Sequence, residues 1–305
     1  MKTGLAALIH PHSTEEFAAK YAANEPLVVH HGHDPSSSLK TLTDLPFLAS
    51  LEALLAAWSQ PIQAHLPDLR DESSSIDSNS KDAAKLFKNG MGLLFNEVQP
   101  LSPVLKNWLE VLRFDLGLSS QTHSRCLVYA TPDGKGTAPH FDQNINFVLQ
   151  VHGTKTWRLA PNHHVKNPMT RHTMGSTPDP ELDSYLEDDL PTQMPDEAQT
   201  VVLKPGSVLF VPRGYWHSTE AQSEALALNF TFTAPTWIDL FTTALRSRLA
   251  LWPEWRETAN GVSDPENRDM AEAYLETMLA SVVEDLPHWQ AQDILNATEP
   301  DHDIS

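Results

Sequence analysis

The chain has 305 residues, 40% of them apolar, with 8 Trp and 11 Phe, which suffices for one large domain or two small ones with a filled core. Against 21 basic residues stand 40 acidic ones, and the net charge of −19 opposes approach to nucleic acid or an anionic membrane while favouring solubility or a basic partner. No window of 18 apolar residues exists, so a membrane-spanning helix is excluded; the single cysteine, Cys126, permits no internal disulfide, fits a reducing compartment such as the cytoplasm, and leaves only histidine and carboxylate to hold a metal.

In chain order, residues 13–23 read as a helix, with Ser13 or Thr14 as cap, Glu16 closing a capping box, and Phe17 and Tyr21 at helical spacing. The apolar run before it is too short for a secretory signal. Residues 26–30 read as a short strand ended by Gly32. Residues 43–58 read as one helix with Leu45, Leu48, Leu51, Leu54, Leu55 and Trp58 on one side, and the serine-rich stretch 71–82 as an exposed loop. Residues 101–117 form a helix with Leu105, Trp108, Leu109 and Leu112 as its buried stripe and Gly117 as its stop.

From about Arg125 the pattern changes to short runs rich in β-branched and aromatic residues (CLVYA, NINFVLQV, KTWRLA, TVVLK, SVLFV, LALNFTF), separated by the turns PDGKG, HGT and KPGS. This spacing predicts an antiparallel sandwich or barrel. The long proline-rich, acidic segment 162–199 interrupts it; an insertion of this length is functional or mobile. Thr236 then starts a helix, with Asp239 completing its cap and Trp237, Leu240, Phe241, Ala244 and Leu245 on the apolar face. Asp264 and Pro265 start another, with Met270, Tyr274, Leu275, Met278 and Val282 as its stripe. The domains expected are therefore 1–235, comprising an N-terminal elaboration 1–124 and a β core 125–235, and a C-terminal helical region 236–305.

His140 and Asp142 form the only His-x-Asp triplet in the chain, and His217 follows 75 residues after Asp142. Two imidazoles and a carboxylate are the facial ligand set of non-haem Fe(II) oxygenases. Positions two apart in a strand point to one face, so His140 and Asp142 would share an interior, with the third ligand supplied by His217, just before another strand.

The framing is more specific. Gly134, His140, Asp142, Asn146 and Gly153 follow the spacing of the first sequence motif of the cupin superfamily, with Asp for its second His and Asn for its Glu; Gly206, Pro212, Gly214 and His217 follow the second motif, without its final Asn. The Asp substitution resembles the Fe(II)/2-oxoglutarate branch, in particular the JmjC hydroxylases, over roughly residues 15–235. The phrase HFDQNINFVLQVHGTKTWRLAP is similar to the iron-bearing strand, hairpin and following strand of that family, nearest to the asparaginyl hydroxylase of hypoxia-inducible factor and the ribosomal-protein hydroxylases.

The resemblance implies a mainly β fold with flanking helices: a double-stranded β-helix (cupin or jelly-roll barrel) as a catalytic domain, with an N-terminal α/β segment and C-terminal helices. It implies a dioxygenase, a hydroxylase using Fe(II), 2-oxoglutarate and O2, with His140, Asp142 and His217 as the catalytic metal ligands. Thr137, Asn146, Lys155 and Asn229 match co-substrate positions of the asparaginyl hydroxylase, and Tyr129 is added as a hydroxyl donor on the strand leading to the site. Lys155 follows the Gly153 turn and suits the far carboxylate of 2-oxoglutarate, since a buried ammonium calls for an anion. In Ala225–Phe232 small and polar residues alternate with bulky apolar ones, which places Asn229 on a face lining a pocket. The implied partner is a protein or peptide substrate, a basic or ribosomal one included, with a homodimer through the C-terminal helices and no nucleic acid or membrane. Two alternatives stay open: a small-molecule or natural-product hydroxylase, and a metal-binding cupin without oxygen chemistry.

Overall fold

The computed structural model describes residues 4–31, 39–66 and 74–299; Gly32, His33 and the first residues of the 71–82 stretch lie outside them. The strands are β1 (Leu27–His30), β2 (Ile62–His65), β3 (Ser75–Ser78), β4 (Gly92–Phe95), β5 (His123–Thr131), β6 (Gly136–Phe141), β7 (Ile145–His152), β8 (Lys155–Ala160), β9 (His172–Thr173), β10 (Gln199–Leu203), β11 (Ser207–Val211), β12 (Trp216–Ala221) and β13 (Ala225–Thr233). They form two antiparallel sheets, ordered β1-β11-β7-β13-β5-β4-β2-β3 and β10-β8-β12-β6-β9. This is the jelly-roll arrangement of a double-stranded β-helix, extended at one edge of the larger sheet.

Strand alternation divides the larger sheet between packing and cavity. In β7, Ile145, Phe147, Leu149 and Val151 enter the main core, as do Leu226, Leu228, Phe230 and Phe232 of β13. The intervening Asn146, Val148, Ala227, Asn229 and Thr231 face the space between the sheets. The N-terminal elements cover the packed face. Helix Thr14–Ala22 carries the expected Ser13/Glu16 capping box and sets Phe17 edge-to-face against Phe210 at 4.9 Å. Helix Pro103–Asp115 buries Leu105, Trp108, Leu109 and Leu112, with Trp108 on Phe230 at 6.1 Å, and Gly117 follows it at φ +65°.

Three local expectations need correction. The predicted helix 43–58 is broken: Pro46 begins a 3-10 turn, and Ser50 caps a separate helix Leu51–Ala57 by accepting from Ala53 N. The polar stretch 71–82 is not simply a loop, since β3 pairs with β2 and Asn79 caps helix Ser80–Lys88. The helix expected from Asp264–Pro265 begins at Arg268, after a turn closed by Asn267 N to Asp264 O.

The insertion 162–199 is folded. Its β9 pairs with β6, and Val165, Leu182 and Met194 pack with Phe141, Ala160 and Trp216 behind the strands that carry the histidines. Arg213 ties it down, donating to the carbonyls of Pro168 and Asn167.

The chain divides into two units: residues up to Leu118 with Thr122–Thr233, and Ser119–Gln121 with the residues from Ala234 onward. The second unit contains helices Trp237–Leu249, Arg268–Asp285 and Ala291–Thr298. The first of these has the expected Thr236/Asp239 capping box but buries only Leu240 and Ala244 of its predicted face; Trp237 is 79% exposed. Among the described residues no helix is long and apolar enough to cross a membrane.

Candidate metal and co-substrate site

His140 lies on β6 and His217 inside β12, opposite one another in register. Asp142 lies one residue past the end of β6, so strand alternation is not what aims it. Asn146 sits on β7 in the other sheet and reaches Asp142 across the cavity rather than along one strand. The β6–β12 register also shifts: His217 opposes His140 and Thr219 opposes Thr137, so Ala138 and Pro139 together face Ser218. Proline has no N–H for the ladder and suits such a bulge. The bulge lets Thr137 and His140, three residues apart, line the same cavity.

The three candidate ligands offer atoms that all lie within 4.8 Å of one another. Asp142 Oδ2 is 4.0 Å from His140 Nε2 and 3.6 Å from His217 Nε2. His140 Nδ1 is 2.8 Å from the Ala138 carbonyl and His217 Nδ1 is 2.9 Å from the Tyr215 carbonyl. A carbonyl only accepts, so both Nδ1 atoms carry the proton and both Nε2 lone pairs are left for a metal. Trp157 stacks on His217 at 5.7 Å and Trp216 is fully buried against Phe141 at 4.7 Å, which fixes the β12 wall.

The Asp142 carboxylate is held from two further sides. Asn146 Nδ2 donates to Oδ2 at 3.3 Å, and Asn146 Oδ1 in turn accepts from Thr231 at 2.8 Å. Arg171 Nε, from the insertion, lies 3.4 Å from Oδ1 and its Nη1 donates to Thr173. Burial pushes the Asp142 carboxyl up, but the electrostatic pull of His140, His217 and Arg171 and the Asn146 amide outweigh it and hold it below the usual carboxylate range. Arg171 was not singled out from sequence; its only trace there is a cation within an acidic insertion.

The triad opens on a cavity of about 250 Å³ between the sheets. Tyr129, Thr137, Asn146, Lys155 and Asn229 all line it, so the structure brings together every residue the sequence nominated. Lys155 is 4% exposed and its Nζ donates to Thr131 Oγ1 at 2.8 Å. Gly153, at φ +68°, makes the turn that delivers it; a Cβ there would stand 2.0 Å from the Glu224 carbonyl oxygen. Thr137 shares a hydroxyl–hydroxyl bond with Thr219 at 3.0 Å. Asn229 Oδ1 is buried with no hydrogen bond among the described residues.

These residues fit a metal with a keto-acid. Nitrogen and oxygen donors on one face suit Fe(II) and leave its other face open. A buried ammonium with amide and hydroxyl groups around it suits a carboxylate. The histidines outside the cavity do other work: His31 Nε2 meets the Leu8 carbonyl and His30 Nδ1 meets Ser207 Oγ, each at 2.8 Å.

A double-stranded β-helix with two imidazoles and a carboxylate at its cavity defines a cupin-type metalloprotein. Comparison with known proteins narrows this. A family model described as "JmjC domain" matches residues 104–240. The Bacillus subtilis (strain 168) protein YxbC is 31% identical over 98% of this chain and 92% of its own length. Ribosomal oxygenase 1 of Rattus norvegicus is 30% identical over 53% of this chain, which spans only 25% of that protein. Among solved structures, Escherichia coli YcfD, described as a ribosomal oxygenase in complex with cobalt and 2-oxoglutarate, shares the fold with a TM-score of 0.52 and 17% identity, over 94% of this chain and 70% of that one. The chain belongs to the JmjC-domain family.

Proposed function

We propose that the protein is an Fe(II)- and 2-oxoglutarate-dependent oxygenase that hydroxylates a side chain of a protein or peptide in a reducing, cytoplasmic setting. The observation that carries this reading is the triad itself: two Nε2 atoms and one carboxylate oxygen converge on one point, with both Nδ1 atoms tied back to carbonyls. Fe(II) with 2-oxoglutarate supplies, when bound, an oxidant made from O2, one oxygen atom entering succinate as CO2 leaves and the other entering a substrate C–H bond as hydroxyl.

The chain's own residues do the rest. His140, Asp142 and His217 hold the metal. Lys155, anchored by Thr131, takes the far carboxylate of the keto-acid, and Thr137, Asn146, Asn229 and Tyr129 line its berth. Arg171 and Asn146 keep Asp142 ionised and oriented. Trp157, Val148 and Ala227 form an apolar wall that excludes water from the reacting centre. The names borne by ribosomal oxygenase 1 and YcfD support a protein substrate, a ribosomal one included, and the net charge of −19 draws a basic partner from a distance.

A homodimer through the C-terminal helices belongs to the same proposal. Helix Arg268–Asp285 has no buried residue, although Met270, Leu275, Leu279 and Val283 lie along it at 44–68% exposure. Apolar residues around a whole helix call for burial, and a second copy of that helix supplies it.

The test is a coupled assay: iron-loaded protein with 2-oxoglutarate, O2 and a panel of ribosomal-protein peptides. The expected result is succinate release with a +16 Da peptide product, both lost in His140→Ala. Succinate that forms equally without peptide, or no binding of 2-oxoglutarate, contradicts the proposal.

A further inference from the structure

Arg125 stands on β5 and lines the same cavity as the metal triad. It is half-buried, its Nε is shut off from solvent without a hydrogen bond, and among the described residues its guanidinium forms no ion pair. Its surroundings locate it. Arg125 pairs in register with Thr231, which bonds Asn146, which bonds Asp142. Thr131, the anchor of Lys155, lies six residues further along the same face of β5, about 20 Å away at ordinary strand rise. Lys155 thus serves the end of the cavity remote from Arg125.

Gln143 directly follows Asp142 and lines the same cavity; its Oε1 is buried with no hydrogen bond among the described residues. A half-buried guanidinium without a partner is costly, and it forms strong bidentate bonds with a carboxylate. Arg171, the second cation at this place, is already engaged by Asp142.

We propose that Arg125 is a specificity-determining residue: it receives a carboxylate of the substrate next to the hydroxylated side chain, with Gln143 bonding the adjoining amide. The inference rests on the oxygenase reading above. Two guanidinium groups at the reacting position also repel a cationic side chain there, so lysine and arginine are poor acceptors of the hydroxyl. The distant charge of −19 does not overrule this, because surface charges beyond a Debye length of about 8 Å are screened at physiological salt. A basic protein whose target segment carries an acidic residue satisfies both fields.

The experiment uses the full chain and oriented libraries of short acetylated peptides. The central residue is fixed as His, Asn, Asp, Lys or Arg, the flanks are randomised, and each library is made with an amidated and with a free C-terminus. Products with +16 Da are sequenced by mass spectrometry for the wild type, Arg125→Gln, Arg125→Lys and Arg125→Glu. Calorimetry gives the 2-oxoglutarate affinity of each Mn(II)-loaded protein.

The expected wild-type products carry Asp or Glu at one flanking position, with the Lys- and Arg-centred libraries left unmodified. Enrichment confined to free C-termini assigns the carboxylate to a chain end instead of a side chain. Arg125→Gln erases the preference and raises KM for the best peptide on the order of tenfold or more, a larger change than in kcat. Arg125→Lys restores part of it, Arg125→Glu turns it towards Lys or Arg, and 2-oxoglutarate affinity stays the same throughout. The proposal is overturned if Arg125→Gln keeps the wild-type preference, if Lys- or Arg-centred peptides are modified best, or if wild type binds 2-oxoglutarate and modifies no library. A wild type that does not bind 2-oxoglutarate refutes the oxygenase reading instead, and the inference falls with it.

Discussion

Strand β13 and helix Arg268–Asp285 are both rich in apolar residues, yet they use them in opposite ways. Every second side chain of β13, from Leu226 to Phe232, is at most 3% exposed in the main core, and the alternate ones face the cavity. The helix buries nothing. In the barrel a period of two assigns each residue either to packing or to chemistry, so stability and site can be altered separately. In the helix the apolar residues have no such assignment among the described residues, and association is the role proposed for them.

The comparison yields five expectations. The largest effect belongs to the cavity side: Asp142→Ala removes an anionic ligand without touching the packed face, so metal binding and turnover are lost while thermal stability of the metal-free protein stays near wild type. Mn(II) resonance spectra and a melting curve check it. On the packed side, Leu228→Ala costs about 2–5 kcal/mol of stability by cavity formation while metal affinity per folded molecule is kept. Leu279→Ala, at 48% exposure, leaves denaturant stability within about 0.5 kcal/mol once measured at concentrations where the chain is monomeric, and weakens the proposed association in sedimentation. Equal destabilisation by Leu228→Ala and Leu279→Ala would abolish the distinction.

Between these sits Arg171, which acts on the metal through Asp142. Arg171→Ala lowers Co(II) affinity by about 10–100-fold, as loss of an outer partner of a ligand does, and leaves the optical spectrum of bound Co(II) that of a two-imidazole, one-carboxylate site. The smallest effect is in the helical unit. Arg248 and Trp289 hydrogen-bond Asp285 and lower its carboxyl to about 2. A lowered folded-state value means that the contribution to stability is complete above about pH 4 and is lost as pH falls towards 2. The Trp289 indole N–H resonance follows this loss, and Arg248→Ala moves the midpoint upward.

The same contrast explains what the sequence made legible. The alternation in Ala225–Phe232 and the glycines Gly134 and Gly153 announced the barrel because each reflects a local backbone requirement. His140, Asp142, His217 and Lys155 were legible by spacing. Their aiming was not: Asp142 leaves the strand, Asn146 arrives from the opposite sheet, and the bulge at Ala138–Pro139 breaks the alternation that the triplet suggested. Strands β2, β3 and β4 escaped notice because each is a run of only four residues. Arg125 and Arg171 carry no motif; only the folded chain shows one without a partner and the other on Asp142.

The central claim is that one cavity holds two separable sites, a metal triad and a carboxylate berth built on Lys155. The direct measurement is calorimetric titration of 2-oxoglutarate into Mn(II)-loaded wild type and Lys155→Ala, with Mn(II) affinity measured alongside. The account predicts unchanged Mn(II) affinity and a loss of 2-oxoglutarate affinity on the order of a hundredfold or more. Equal 2-oxoglutarate affinity in the two proteins, or none in the wild type, would contradict it.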